Sequence, residues 1–284
     1  MWLLVAVLTL IWGTSFILIK KGLVVFNSDE LGAMRIVIAC ASLLPFAVAN
    51  LRKVERHRWK FLLASGLLGN LFPAFLFAYA ETHLASGLAG VLNSLTALFT
   101  LLIGALFFRQ QITWLRMVGI VVGMAGTAML IFSGGGGTNL SNMRYGLFIV
   151  VATICYGGSA NIIKYRLQGI KPIVMSSLAL LTVGPMAAAY LFTTNVSAKF
   201  AYAPGAWEAF LYIAILAVFS TAVGLILLNK LIQISTPVFA STINYLIPVV
   251  ALLWGVLDGE TIHLWHYVSM VVILAGVFIV NRAR

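Results

Sequence analysis

Ten apolar runs, each close to 20 residues, occupy most of this 284-residue chain. They cover 2–19, 30–50, 59–79, 85–107, 114–132, 143–163, 172–194, 205–229, 236–256 and 264–281. An α-helix rises 1.5 Å per residue, so about 20 apolar residues cross the hydrocarbon of a bilayer. Within lipid every backbone polar group needs an internal partner, which leaves helices or closed barrels. Barrel strands alternate in polarity over about ten positions. These runs are continuously apolar, so the sequence predicts an all-α membrane protein with ten transmembrane helices. Only 9% of the residues are charged, against about 25% in soluble domains. That is too few to coat a water-facing surface, which sets aside soluble enzymes, soluble binding modules and disordered chains. The first run has no basic leader and no A-x-A-type cleavage site, so it is expected to be a retained span.

The 18 Lys and Arg against 7 Asp and Glu give +11. With the N-terminus inside, Arg52, Lys53, Arg56, Arg58, Lys60, Arg109, Arg116, Lys164, Arg166, Lys171, Lys230, Arg282 and Arg284 fall on the inner side. Lys20, Lys21, Arg144 and Lys199 fall outside, and Arg35 lies within the second run. Cytoplasmic loops collect Lys and Arg. Both termini are therefore expected in the cytoplasm, in a plasma (bacterial inner) membrane. The excess charge reads as topology, and no nucleic-acid partner is expected. Trp59, Trp114, Trp207 and Trp265 begin runs, as an interfacial aromatic belt requires. Cys40 and Cys155 lie in apolar runs without metal spacing and read as packing residues.

The Gly134–Gly137 run divides the chain into residues 1–132 and 143–284, joined by a Gly-rich linker at 133–142. The halves echo one another weakly. Trp12-Gly13-Thr14-Ser15 aligns with Tyr156-Gly157-Gly158-Ser159, and Lys20 with Lys164, at an offset of 144. Asn93 aligns with Asn244 at 151, and Gly126 with Gly276 at 150. Five is an odd number of crossings, so the second half enters the membrane from the opposite side. Inverted repeats of this kind build alternating-access carriers.

Trp12-Gly13-Thr14-Ser15-Phe16 with Lys20, Arg35 early in the second run, Gly259-Glu260, and Leu274-Ala275-Gly276-Val277 resemble the EamA-type members of the drug/metabolite transporter superfamily. The resemblance implies ten helices in two repeats. It implies a central cavity lined by helices one to four and six to nine, and transport of small organic solutes, often export of amino acids and related metabolites. One departure is plain. The family places a Glu before its fifth helix, equivalent to Glu260, and here the site reads Arg109-Gln110-Gln111.

Polar groups within lipid-spanning segments tend to face protein or a watery cavity. Asn93 and Asn244, on repeat-related runs, are the leading cavity candidates, with Ser15, Ser159 and Asn161 beside them. An amide has four hydrogen-bonding sites, of which its own helix satisfies few; an interhelical bond is the structural alternative. Trp12, Tyr79, Tyr156 and Tyr245 are candidate aromatic walls, or core packing. Arg35 is placed to meet a substrate anion or to pair with Glu81 or Glu208. Lys20 and Lys164 read as snorkelling cations or as anion partners. No Asp or Glu is central in a run; Glu81 and His83 at one outer corner are the candidate coupling groups. Gly119-x3-Gly123 with Gly126 gives the fifth run a small face, for packing inside the bundle or in a dimer, so monomer and dimer both stay open.

His263 and His266 lack the further ligands a metal needs, so neither metal nor cofactor is expected. Ser133-Gly134-Gly135-Gly136-Gly137 lacks the Lys of a phosphate-binding loop. With no nucleophile–base constellation, the chain reads as a carrier and not an enzyme. Its expected partners are a small-molecule substrate and the lipid bilayer, and amino acids or related zwitterions moving outward are the leading cargo. Phosphorylated, lipid-like or cationic drug-like solutes are the alternative. An intramembrane lipid-modifying enzyme or a receptor is the alternative of another class.

Overall fold

A computed structural model describes residues 1–111, 113–132, 140–234, 243–260 and 264–282, without the side chains of 130–132, 140–144, 232, 233, 244, 245, 266, 277, 280 and 281. The first apolar run forms α1 (Trp2–Gly22) and the second α2 (Ser28–Asn50). The start of α2 is fixed by a capping box, with the Asn27 N–H donating to Glu30 at 2.8 Å. The third run is α3 (Trp59–Gly66), a π-helical turn (Leu67–Leu71) and α4 (Phe72–Glu81) in one rod. Pro73 has no N–H to give the Gly69 carbonyl and crowds it, which favours the wider turn there. The fourth run is broken into α5 (Ser86–Asn93) and α6 (Thr96–Phe108), with the Ser94 hydroxyl donating to the Val91 carbonyl at 2.7 Å beside the break.

Then follow α7 (Trp114–Phe132), α8 (Leu140–Arg166) and α9 (Pro172–Leu191). The polar segment 195–204, expected as a plain connection, contains a short helix α10 (Val196–Tyr202). It is tied down by Lys199, whose Nζ lies 2.6 Å from Glu30. The eighth run is α11 (Ala206–Ile215), a second π-helical stretch (Leu216–Val223) and α12 (Gly224–Ile234). The last two helices are α13 (Ile243–Leu257) and α14 (Leu264–Arg282). No strand occurs among the described residues.

Seven of these rods are long and apolar enough to cross a membrane; Trp114–Met129, Leu246–Leu257 and Tyr267–Gly276 are shorter apolar stretches. Large side chains such as Leu106, Phe107, Val121 and Phe192 are exposed on the outside. That is the polarity of a protein solvated by lipid. The Gly134–Gly137 segment lies outside the described residues.

Helices α7 and α14 pack on each other along the small face noted in the sequence. A Cβ on Gly276 would fall 2.3 Å from the Gly123 amide nitrogen and 2.7 Å from the Gly119 carbonyl. Close backbone approach through small residues supplies dispersion contact in place of a hydrophobic drive. This face is therefore used within the chain.

Candidate functional site

A cavity of about 330 Å³ lies between α1, α2, the α3–α4 rod, α5–α6, α8, α9, the α11–α12 rod and α13. Its lining includes Trp12, Ser15, Arg35, Asn93, Tyr156, Ser159 and Asn161, seven of the residues singled out in the sequence. Both π-helical turns border it, through Gly69 and Asn70 in one and Ser220 and Thr221 in the other. A π turn leaves backbone groups out of the regular ladder. At the second, the Trp12 indole N–H donates to the Ser220 carbonyl at 2.9 Å. That bond pins the indole against the wall.

Arg35 does not pair with Glu81 or Glu208. Its Nε donates to Thr221 Oγ1 at 2.8 Å, and among the described residues it forms no ion pair. Glu208 instead accepts from the Tyr212 hydroxyl at 3.0 Å. Asn161 uses its amide to hold helices together, donating to the Thr100 carbonyl at 2.8 Å and to Gly157 at 2.9 Å. Ser159 meets Ser65 hydroxyl to hydroxyl at 3.2 Å.

Tyr79 is corrected from a cavity wall to an outer-surface ring. It is 42% exposed and packs edge-on against Phe148, ring centres 4.8 Å apart. One residue per helical position decides this: Ala78 and Phe77 face inward and turn Tyr79 out. The side chains of Asn244 and Tyr245 lie outside the described residues. Several lining residues carried no clear sequence signal. Asn229 sits at the end of its run yet donates to Ser176 Oγ at 3.0 Å, and its buried Oδ1 has no hydrogen-bond partner among the described residues. Gln110, in a connection, lines the cavity beside Lys164 and Arg116.

The two ends of the cavity differ. Towards Lys20 its lining consists of Ile19 and the rings of Phe16, Phe77 and Tyr156, with Phe16–Phe77 ring centres 5.8 Å apart and Phe77–Tyr156 6.0 Å. Beyond that layer sits an ionic cluster. Lys20 Nζ lies 2.9 Å from Glu260 and 2.7 Å from Asp258, and Lys21 also contacts Asp258. Glu260 further accepts from the Ser86 N–H at 2.9 Å, the Ser86 hydroxyl at 2.7 Å and the Gly87 N–H at 3.1 Å, at the N-terminus of α5. Burial pushes the Glu260 carboxyl up, but the Lys20 ammonium, the Ser86 hydroxyl and the two amides hold it below its ordinary value. The Lys20 and Lys21 ammonium groups hold Asp258 below its own. None of these ionic residues lines the cavity.

Glu81 lies at the same end, 6% exposed, with both carboxylate oxygens buried and lacking a hydrogen-bond donor among the described residues. His83, two residues on, is stacked on Tyr145 with ring centres 3.9 Å apart. Neither residue borders the cavity.

At the opposite end the cavity reaches Gln110, Arg116 and Lys164. The chain turns alike at both ends. Helix α6 finishes in a left-handed residue, Arg109 (φ 56°), and α13 in Gly259 (φ 79°). The next N–H closes the helix in each case, Gln110 to Gly104 at 3.0 Å and Glu260 to Gly255 at 2.9 Å. The side-chain oxygens then turn back over the same glycines. Gln110 thus stands beside Gly104 as Glu260 stands beside Gly255.

Apolar rods around a mainly apolar cavity of about 330 Å³ that holds a few placed polar side chains fit a helical membrane transporter. The EamA-like transporter family model matches residues 1–132 and 143–282, and the chain belongs to that family. It is 26% identical over 284 residues to the uncharacterized inner membrane transporter YedA of Escherichia coli, covering 98% of this chain and 89% of that protein. It is 25% identical over 285 residues to the "probable amino-acid metabolite efflux pump" of Salmonella typhimurium, covering 97% and 93%. A solved crystal structure shares the fold with a TM-score of 0.64 at 16% identity, over 98% of this chain and 94% of that one.

Proposed function

We propose that this multi-pass membrane transporter is a secondary carrier. It moves small organic metabolites outward by alternating access between two inverted five-helix repeats. Amino acids and related carboxylate-bearing zwitterions are its leading cargo. The carrying observation is a cavity reached from one end of the bundle while an ionic cluster and an aromatic layer close the other. Two paired features support the repeats. The π-helical turns begin at Leu67 and Leu216, 149 residues apart, and the left-handed helix ends at Arg109 and Gly259 are 150 apart. The two stretches that match the family model fall on either side of the Gly-rich segment. By the charge rule the termini and the Lys164 end face the cytoplasm of a bacterial inner membrane, so this conformation opens inward.

In this reading Arg35, Asn93, Ser15 and Trp12 contact cargo, with Asn244 and Tyr245 on the repeat-related helix. Glu81 is the coupling carboxylate, since an ionised carboxylate without a donor is costly to bury and opening the Lys20–Glu260 end would hydrate it. A kinship of the amino-acid kind comes from relatives that carry the names of amino-acid exporters or metabolite efflux pumps, at 25% identity. The test is counterflow in proteoliposomes with a metabolite panel, with and without a pH gradient. Exchange of preloaded for external solute supports a carrier. Saturable binding without exchange would replace the carrier by a receptor.

A further inference from the structure

The charge of the cavity carries the substrate class further than family kinship does. The lining contains Arg35, Arg116 and Lys164, and no Asp or Glu among the described residues. Arg35 contributes only Nε to a protein acceptor that is itself neutral, Thr221 Oγ1. The guanidinium is planar with five donors in a fork that matches an oxyanion. The buried Glu81 carboxylate acts on Arg35 through space but lies beyond ion-pair distance. A half-buried cation with no carboxylate in contact is costly, so an anion bound against its free N–H groups gains what water at the wall only partly supplies.

The second observation comes from the opposite end of the bundle. Lys20 is neutralised by Glu260 and Asp258. Lys164, the residue that echoes it, lines the cavity together with Gln110, which stands at Gly104 as Glu260 stands at Gly255, and its Nζ lies 5.1 Å from the Tyr165 ring centre. The same turn therefore carries an acid where the passage is shut and an amide where it is open. Tyr156 touches the Arg35 field, and eight residues of α8 separate it from Lys164, about 12 Å at 1.5 Å per residue. A small metabolite does not bridge that distance. One anionic group on Arg35, with Lys164 drawing anions into that end of the cavity, fits it.

We propose that the preferred substrate is a small organic solute of net negative charge, its carboxylate or phosphate held by Arg35; within the proposed cargo this selects acidic amino acids and related anions over neutral zwitterions, and it sets cations aside. An ammonium group in the cavity has neutral acceptors, including the unpartnered Asn229 Oδ1, but no carboxylate. This inference rests on the carrier reading for transport and not for binding.

The test measures binding by calorimetry on purified protein and, separately, counterflow in vesicles. The probes are succinate, glutamate, glycerol 3-phosphate, threonine, lysine and putrescine. At least one of the three anions is expected to bind at least tenfold tighter than threonine, and neither cation is expected to bind. Succinate against glycerol 3-phosphate tells a carboxylate from a phosphate. R35Q is expected to lower anion affinity at least tenfold, with R35K between. Because R35Q also loses a bond to Thr221, Q110E supplies a second arm: it adds a carboxylate to the Lys164 end of the cavity and should weaken anions several-fold more than it weakens threonine. Threonine or a cation binding as tightly as every anion, no anion binding at all, or Q110E without effect on a bound anion each overturns the proposal. Anion binding without counterflow keeps it and refutes the carrier. Threonine counterflow without anion binding does the reverse.

Discussion

Glu260→Gln tests whether the Lys20 end is a gate. The side chain is 5% exposed and its carboxylate collects four bonds: Lys20, the Ser86 N–H, the Ser86 hydroxyl and the Gly87 N–H. Gln keeps one acceptor oxygen but replaces the other by an amine, which meets a donor. It also removes the charge. Hydrogen bonds to charged groups contribute about 1.5–3 kcal/mol each, and breaking a buried ion pair costs about 3–5 kcal/mol. Lys20 keeps Asp258 at 2.7 Å, so the net loss is put at about 2 kcal/mol, or roughly 30-fold in the ratio of open to closed gate. The assay replaces Cys40 and Cys155 by Ala and Ile19, a buried cavity residue, by Cys. A membrane-impermeant thiol reagent is then applied from the Glu260 side only. Labelling at least tenfold faster with Glu260→Gln is expected. An unchanged rate in a folded variant would refute the gate. The pH dependence follows from the sign of the shifts. Both Glu260 and Asp258 are lowered in the folded protein from ordinary values of 4.5 and 3.8. Their contribution is therefore full above those values and is lost only as pH falls through the lowered ones. Divided by the rate for a freely exposed control cysteine, which removes the fall in thiolate fraction with pH, the labelling rate should be flat from pH 8 to 5 and rise below about 4.

Three further outcomes are expected. Glu81→Gln should remove the response of counterflow to a pH gradient while uptake at equal pH persists; a retained response would exclude Glu81 as the coupling group. Gly276→Leu should separate α7 from α14 and lower the thermal midpoint in detergent by several degrees, since overpacking costs about 1–3 kcal/mol; an unchanged midpoint would show that the seam is loose. Asn93→Ala should reduce transport at least tenfold with the midpoint within two degrees of the parent, whereas a fall in stability of about 1–3 kcal/mol would assign the amide to packing.

The apolar runs gave the helices because lipid leaves the backbone so few options, and Arg35 and Asn93 stood out because polar groups are costly there. The features that shape the cavity were less legible. The stretch Leu67–Leu71 is apolar like its neighbours, and only Pro73 hints that the ladder is disturbed; the turn at Leu216–Val223 has no proline at all. A π turn also shifts the facing of every residue after it, which is why hydropathy alone could not turn Tyr79 outward. The resemblance already set Arg109-Gln110-Gln111 against Glu260, but which of the two glutamines takes that place emerged from the matching helix ends. Asn229 looked like the polar margin of a span, and its bond to Ser176 depends on the tilt of α9 against α12.

The likeness of Gln110 to Glu260 has a genetic consequence. Glutamine and glutamate codons differ by a single base, so one nucleotide separates this chain from a sibling with a matching latch at each mouth. If the chain is the carrier proposed, such a sibling would idle evenly between its two faces, whereas this one would wait, when empty, with the same door ajar.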